Sequence, residues 1–109
     1  MADLTDPIAV HDQLSDLQIV DVREQYEWDA GHIDGAAHVV LNDLMGGAGT
    51  FEEDKPVVAV CRSGNRSELA TLMLKARGLD AYNMEGGMEA WDRANLPFSA
   101  SDGTAGSVA

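Results

Sequence analysis

Apolar residues in this chain fall in short runs whose period alternates between helical and extended, with polar and glycine-rich stretches between them. Asp6-Pro7 supplies an N-cap followed by proline at the first helical position, and Val10, Leu14 and Leu17 recur at helical spacing. A short helix is therefore predicted over residues 7–15. Between Gln18 and Val22 the β-branched Ile19, Val20 and Val22 predict a strand that carries Asp21 and runs into Arg23. Gln25 to Ala30 suits a helical turn before Gly31. The glycine-framed Gly31-His32-Ile33-Asp34-Gly35 then turns the chain into a second strand, Ala37 to Val40. Asn42 to Met45 reads as helical, ended by Gly46-Gly47-Ala48-Gly49.

Pro56 introduces the clearest strand, Val57 to Val60, an unbroken apolar run that predicts burial on both faces. It ends at Cys61, and a polar loop follows. Leu69, Leu72, Met73 and Ala76 mark the expected buried face of the next helix, which closes with Arg77-Gly78. Ala81 to Met84 predicts another strand. After Gly86-Gly87, a final helix buries Met88, Trp91 and Ala94 and stops at Asn95 and Pro97. Residues 99–109 are Ser, Gly, Ala, Asp and Thr with one Val, the composition of a flexible tail after a domain spanning residues 1–98. Strands alternating with helices predict an α/β domain with a mainly parallel sheet of about five strands and helices on both faces. Ligands of such sheets bind beyond the carboxyl ends of the strands, where Cys61 falls.

Composition sharpens the picture mainly through charge. At 109 residues the chain can hold one compact core, and its 45% hydrophobic share is that of a globular protein. Seven Lys and Arg against nineteen Asp and Glu leave a net charge of −12 and a pI near 4.3. Nucleic acids and anionic membranes repel such a chain, so neither is expected as a partner. The two lysines, Lys55 and Lys75, suit a very salty cytosol and a GC-rich coding bias equally well. Neither Ala36 to Leu41 nor Val57 to Cys61 is long enough to cross a bilayer. The first twenty residues contain four Asp and no Lys or Arg, so no secretory leader is expected. A single cysteine forms no internal disulfide, which points to a reducing, cytoplasmic setting.

That cysteine opens the segment Cys61-Arg62-Ser63-Gly64-Asn65-Arg66-Ser67, set between a buried strand and a helix. A strand–loop–helix junction turns successive backbone N–H groups inward and makes an anion-binding nest. Gly64 permits a backbone conformation that other residues resist, and Asn65 tolerates the left-handed region. Arg62 and Arg66 add positive charge, and Ser67 offers a hydroxyl to the sulfur. An unperturbed thiol is only a few per cent ionised at neutral pH. Two aimed N–H donors, at roughly 1.5–3 kcal/mol each on a charged acceptor, suffice to make the thiolate dominant. Cys61 is thus the candidate nucleophile, weighed against an inert cysteine closing a strand.

On four segments the chain resembles the rhodanese domain, specifically its small single-domain sulfurtransferases. They are Asp21-Val22-Arg23-Glu24, Gly31-His32-Ile33-Asp34-Gly35-Ala36, the Cys61–Ser67 loop, and Gly86-Gly87-Met88-Glu89-Ala90-Trp91. Asp34 stands where the family usually has proline. The resemblance implies the rhodanese-like three-layer α/β fold. It also implies transfer of sulfane sulfur from thiosulfate or a persulfide donor, through a Cys61 persulfide, to a thiophilic acceptor. That acceptor is cyanide in an assay and a thiol or protein in the cell. The backbone of Arg62, Ser63, Gly64, Asn65 and Arg66 would cradle the anion, with Arg66 as fixed charge and Ser67 as thiolate partner. No metal or organic cofactor is expected.

Two other classes compete. A rhodanese-like module that docks a partner without turnover commonly lacks the cysteine or the loop arginine, and this chain keeps both. Cysteine phosphatases and arsenate reductases place one residue more between Cys and Arg, a ring sized for a tetrahedral oxyanion. Only four residues separate Cys61 from Arg66, which favours a sulfur atom. Asp21 and Arg23 are expected to form a buried pair that braces the loop. His11, His32 and His38 show no metal-ligand spacing, and Trp28 and Trp91 are expected in the core.

Overall fold

The computed structural model describes residues 3–109. Asp6 caps helix α1 (Pro7–Asp12) through a carboxylate that accepts the Ala9 N–H at 3.0 Å. The predicted 7–15 helix stops there and continues as a 3-10 turn, Leu14–Asp16. Strand β1 (Gln18–Asp21), helix α2 (Gln25–Ala30), strand β2 (Ala37–His38) and helix α3 (Leu41–Met45) follow. The second half comprises β3 (Val57–Val60), α4 (Asn65–Ala76), β4 (Ala81–Asn83) and α5 (Gly87–Arg93).

The sheet is parallel throughout, in the order β2-β1-β3-β4, with four strands where about five were expected. Strand residues alternate between two cores. Ile19, Val58 and Val60 face one that contains Val10 of α1 and Met88 and Trp91 of α5. Val20, Val57 and Ala59 face the other, with Leu44 of α3 and Ala70 and Leu74 of α4. Three layers result, and all four residues of β3 are buried as its apolar run predicts. Strand order reverses between β1 and β3, the place where open α/β sheets leave a crevice at their carboxyl edge. No helix among the described residues is long and apolar enough to cross a membrane.

Helix α4 turns a different face inward from the one expected. Ser67, Ala70, Thr71 and Leu74 are buried, whereas Leu69 and Leu72 are 47% and 60% exposed. Small side chains face the sheet because Ser67 must reach the end of β3, which fixes the helix's rotation. Trp91 is fully buried, but Trp28 is only half-buried and stacks on His32 and His38 with centroids 3.6 and 4.7 Å away.

The segment read as an unstructured tail folds back on the domain. Ser99 and His32 exchange backbone hydrogen bonds, and the N–H groups of Ser101 and Ser107 donate to the carbonyls of Asp29 and Ala30. These are last-turn carbonyls of α2, which a helix leaves without internal partners. Val108 and Phe98 pack against the core on the α1/α5 side.

Candidate active site

Cys61 leaves the end of β3 and opens the loop into α4. Gly64 caps that helix with φ +107°, a conformation suited to glycine. The turn brings the first amides of α4 back over the sulfur. Gly64 N–H donates to Sγ at 3.1 Å and Ser67 N–H at 3.4 Å, while the Ser67 hydroxyl lies 3.2 Å from the same atom. The cysteine is 0% exposed and shares the α3/α4 core with Val20, Val22 and Ala59. Burial pushes its thiol up. The Ser67 hydroxyl and the amides of Ser67, Gly64 and Ser63 together outweigh burial and hold the thiol below its ordinary value of 9.0.

Both loop arginines lie beside acidic side chains. Arg66 forks onto Glu27 of α2, with Nη1–Oε1 and Nη2–Oε2 distances of 2.7 and 2.8 Å. Glu27 is buried, and the Arg66 bond holds its carboxyl below the usual carboxylate range, against the opposing effect of burial. Pairing raises the Arg66 guanidinium above its own ordinary value. The Ser67 hydroxyl and the loop amides, more than the guanidinium, therefore lower the Cys61 thiol. Arg62 is exposed and lies 3.7 Å from Glu89. Ser63 and Asn65 are exposed too, and Asn65 is the first residue of α4 rather than a left-handed loop residue.

The pair predicted to brace the loop bonds to the Gly31 turn instead, and the loop is held from α5. Asp21 and Arg23 form a buried pair, with Nε–Oδ1 at 2.9 Å and Nη2–Oδ2 at 2.7 Å, and Nη2 also donates to the Gly31 carbonyl at 2.7 Å. The end of β1 is thereby tied to the Gly31 turn. On the other side, the Met88 and Glu89 N–H groups of α5 donate to the carbonyls of Cys61 and Arg62 at 2.8 and 3.0 Å. Gly87 has φ +56°, and a Cβ there would be driven into the Cys61 carbonyl oxygen.

Sequence reasoning missed Glu27 and Asn83. Glu24 and Glu27 form a capping box on α2, a three-residue spacing visible in the sequence that fixes Glu27 at the helix start. Its partner lies 39 residues away, which no local pattern reveals. Asn83, the last residue of β4, accepts the Ser67 hydroxyl on Oδ1 at 2.5 Å and donates from Nδ2 to the Gly64 carbonyl at 3.0 Å.

The cysteine thus lies under inward-turned amides at the carboxyl edge of a parallel three-layer α/β sheet, a setting that favours an ionised sulfur. The chain belongs to the rhodanese-like domain family, whose sequence profile matches residues 6–94. It is 39% identical over 80 residues to the thiosulfate sulfurtransferase GlpE of Shewanella oneidensis, covering 72% of this chain and 79% of that one. Against GlpE of Pseudomonas fluorescens it is 37% identical over 86 residues, 78% of either chain. Among solved structures, a rhodanese-related protein of Thermoplasma volcanium superposes with a TM-score of 0.80 at 27% identity, covering 85% of this chain and 93% of that one. A rhodanese-like domain protein of Staphylococcus aureus gives 0.72 at 32% identity, covering 79% and 87%.

Proposed function

We propose that this protein is a sulfurtransferase in which Cys61 carries sulfane sulfur from an anionic donor, thiosulfate or a persulfide, to a thiol or protein acceptor. The Cys61 thiolate attacks the outer sulfur of thiosulfate. A new S–S bond forms, the S–S bond of the donor breaks, and sulfite leaves with its electron pair. The resulting persulfide is ionised at its terminal sulfur. Cyanide in an assay, or a thiolate in the cell, then takes that sulfur and returns the Cys61 thiolate. No metal or organic cofactor enters the scheme, and a reducing, cytoplasmic setting keeps the thiol available.

The observation that carries this reading is the pair of amides, Gly64 and Ser67, that donate to Sγ, with the Ser67 hydroxyl 3.2 Å from the same atom. A helix's first amides have no internal acceptor, so those of Asn65 and Arg66 remain for a terminal sulfur one atom further out. The GlpE relatives support thiosulfate as donor. Because Cys61 is fully covered, loading requires an opening over the sulfur. Intact mass before and after thiosulfate tests the proposal. The expected result is a gain of one sulfur atom, reversed by reductant and absent in Cys61→Ser. No Cys61-dependent gain would leave a docking module instead.

A further inference from the structure

Ser67, Asn83 and Gly64 close a hydrogen-bonded circuit on the Cys61 sulfur. The Gly64 carbonyl can only accept, so the Asn83 amide must turn Nδ2 toward it, at 3.0 Å. Oδ1 therefore faces Ser67, and it too can only accept. The single Ser67 hydroxyl hydrogen is drawn to Oδ1, 2.5 Å away. What Ser67 then offers the sulfur, 3.2 Å distant, is a lone pair. A lone pair suits a neutral S–H, which can donate to it, and not a bare thiolate. To stabilise the thiolate, the hydroxyl must swing its hydrogen off Asn83 and onto Sγ.

We propose that Asn83 is a positioning residue that acts through Ser67, competing with the Cys61 thiolate for the hydroxyl hydrogen. This rests on Cys61 being the reactive sulfur and deepens that assignment. In a persulfide the inner sulfur carries neither hydrogen nor full charge, so Ser67 can remain on Asn83 at no cost. Asn83 thus disfavours the empty thiolate relative to the sulfur-loaded form. Strand β4 makes the arrangement rigid, since Asn83 is held in register opposite Ala59 and Ser67 is fully buried. Asn83 is a strand residue whose amide touches the loop only through these two bonds, one of which a mere brace would need and the other not.

The test is an ultraviolet pH titration of the Cys61 thiolate in the whole protein, without any sulfur donor. It reads ionisation alone, so its outcome is separate from whether sulfur is transferred. Charged groups on the surrounding elements are unaltered by the substitutions: Arg66 of α4 with Glu27 of α2, the Asp21–Arg23 pair at the end of β1, and Arg62 with Glu89 of α5. Asn83→Ala frees the hydroxyl to turn to the sulfur. The thiolate fraction at a fixed pH below the midpoint should rise roughly three- to tenfold, the worth of one redirected hydrogen bond. Simple loosening of the loop would lower it. Asn83→Leu, nearly the same shape without hydrogen bonds, serves if the alanine variant does not fold. In a Ser67→Ala background the same substitution should leave the fraction unchanged. An unchanged or reduced thiolate fraction in the single variant, or an equal rise in the Ser67→Ala background, overturns the proposal.

Discussion

Glu27 ties the start of α2 to the start of α4 through one side-chain fork, and its contribution follows from how differently the two partners meet solvent. The Arg66 side chain is 35% exposed, so a guanidinium left alone can still reach water; the Glu27 side chain is 3% exposed and cannot. Glu27→Gln removes the charge while keeping one acceptor, and is expected to cost about 1–2 kcal/mol in urea unfolding at neutral pH. Because the folded carboxyl is depressed below its ordinary value of 4.5, its stabilisation is complete above that value and disappears as pH falls through the lowered one. The gap between wild type and Glu27→Gln should therefore close on acidification; a gap independent of pH would contradict the assignment. Cys61 acts at the other end of the scale. Its lowered thiol makes stability rise with pH from that lowered value up to 9.0, and Cys61→Ser should remove this slope.

Helix α5 reaches the loop through its backbone, so its effect belongs to the element more than to any side chain. Two of its N–H groups donate to the carbonyls of Cys61 and Arg62, which fixes the carbonyl side of that end of the loop. Gly87→Ala combines a left-handed backbone with a collision against the Cys61 carbonyl, and should cost ~3 kcal/mol in thermal or urea unfolding. An alanine variant as stable as wild type would show that the contact relaxes easily. Removing residues 99–109 frees the Asp29 and Ala30 carbonyls and should cost about 1–3 kcal/mol while sparing sulfur loading. The strands, the α1 cap and the Cys61 loop were legible because each is written in neighbouring residues. The rotation of α4 was not, since leucine spacing pointed to Leu69 and Leu72 while the demand on Ser67 set the phase. The terminal segment misled because its bonds are mostly main-chain, to which composition is blind. Its Asp102-Gly103 turn, with Gly103 at φ +87°, was nonetheless a readable signal.

At the scale of the whole molecule, charge decides how a small dianion reaches the sulfur. The chain carries −12, and both arginines of the loop already face acids, Arg66 at Glu27 and Arg62 at Glu89. Local attraction is therefore largely neutralised, and the long-range field of the protein dominates the approach of thiosulfate. Raising ionic strength from about 0.01 to 0.15 M shortens the screening length from about 30 Å to about 8 Å. The radius of gyration is 12.5 Å, so charges on the far side act on the donor at low salt and drop out at moderate salt. For the proposed sulfurtransferase, kcat/KM with thiosulfate should rise a few-fold over this range, with kcat nearly constant, because screening changes encounter and not the bound complex. Glu89→Gln should raise kcat/KM at low salt by releasing Arg62, and the gain should shrink as salt is added. A steady fall of kcat/KM with salt would mean instead that Arg62 and Arg66, despite their partners, still draw the donor in.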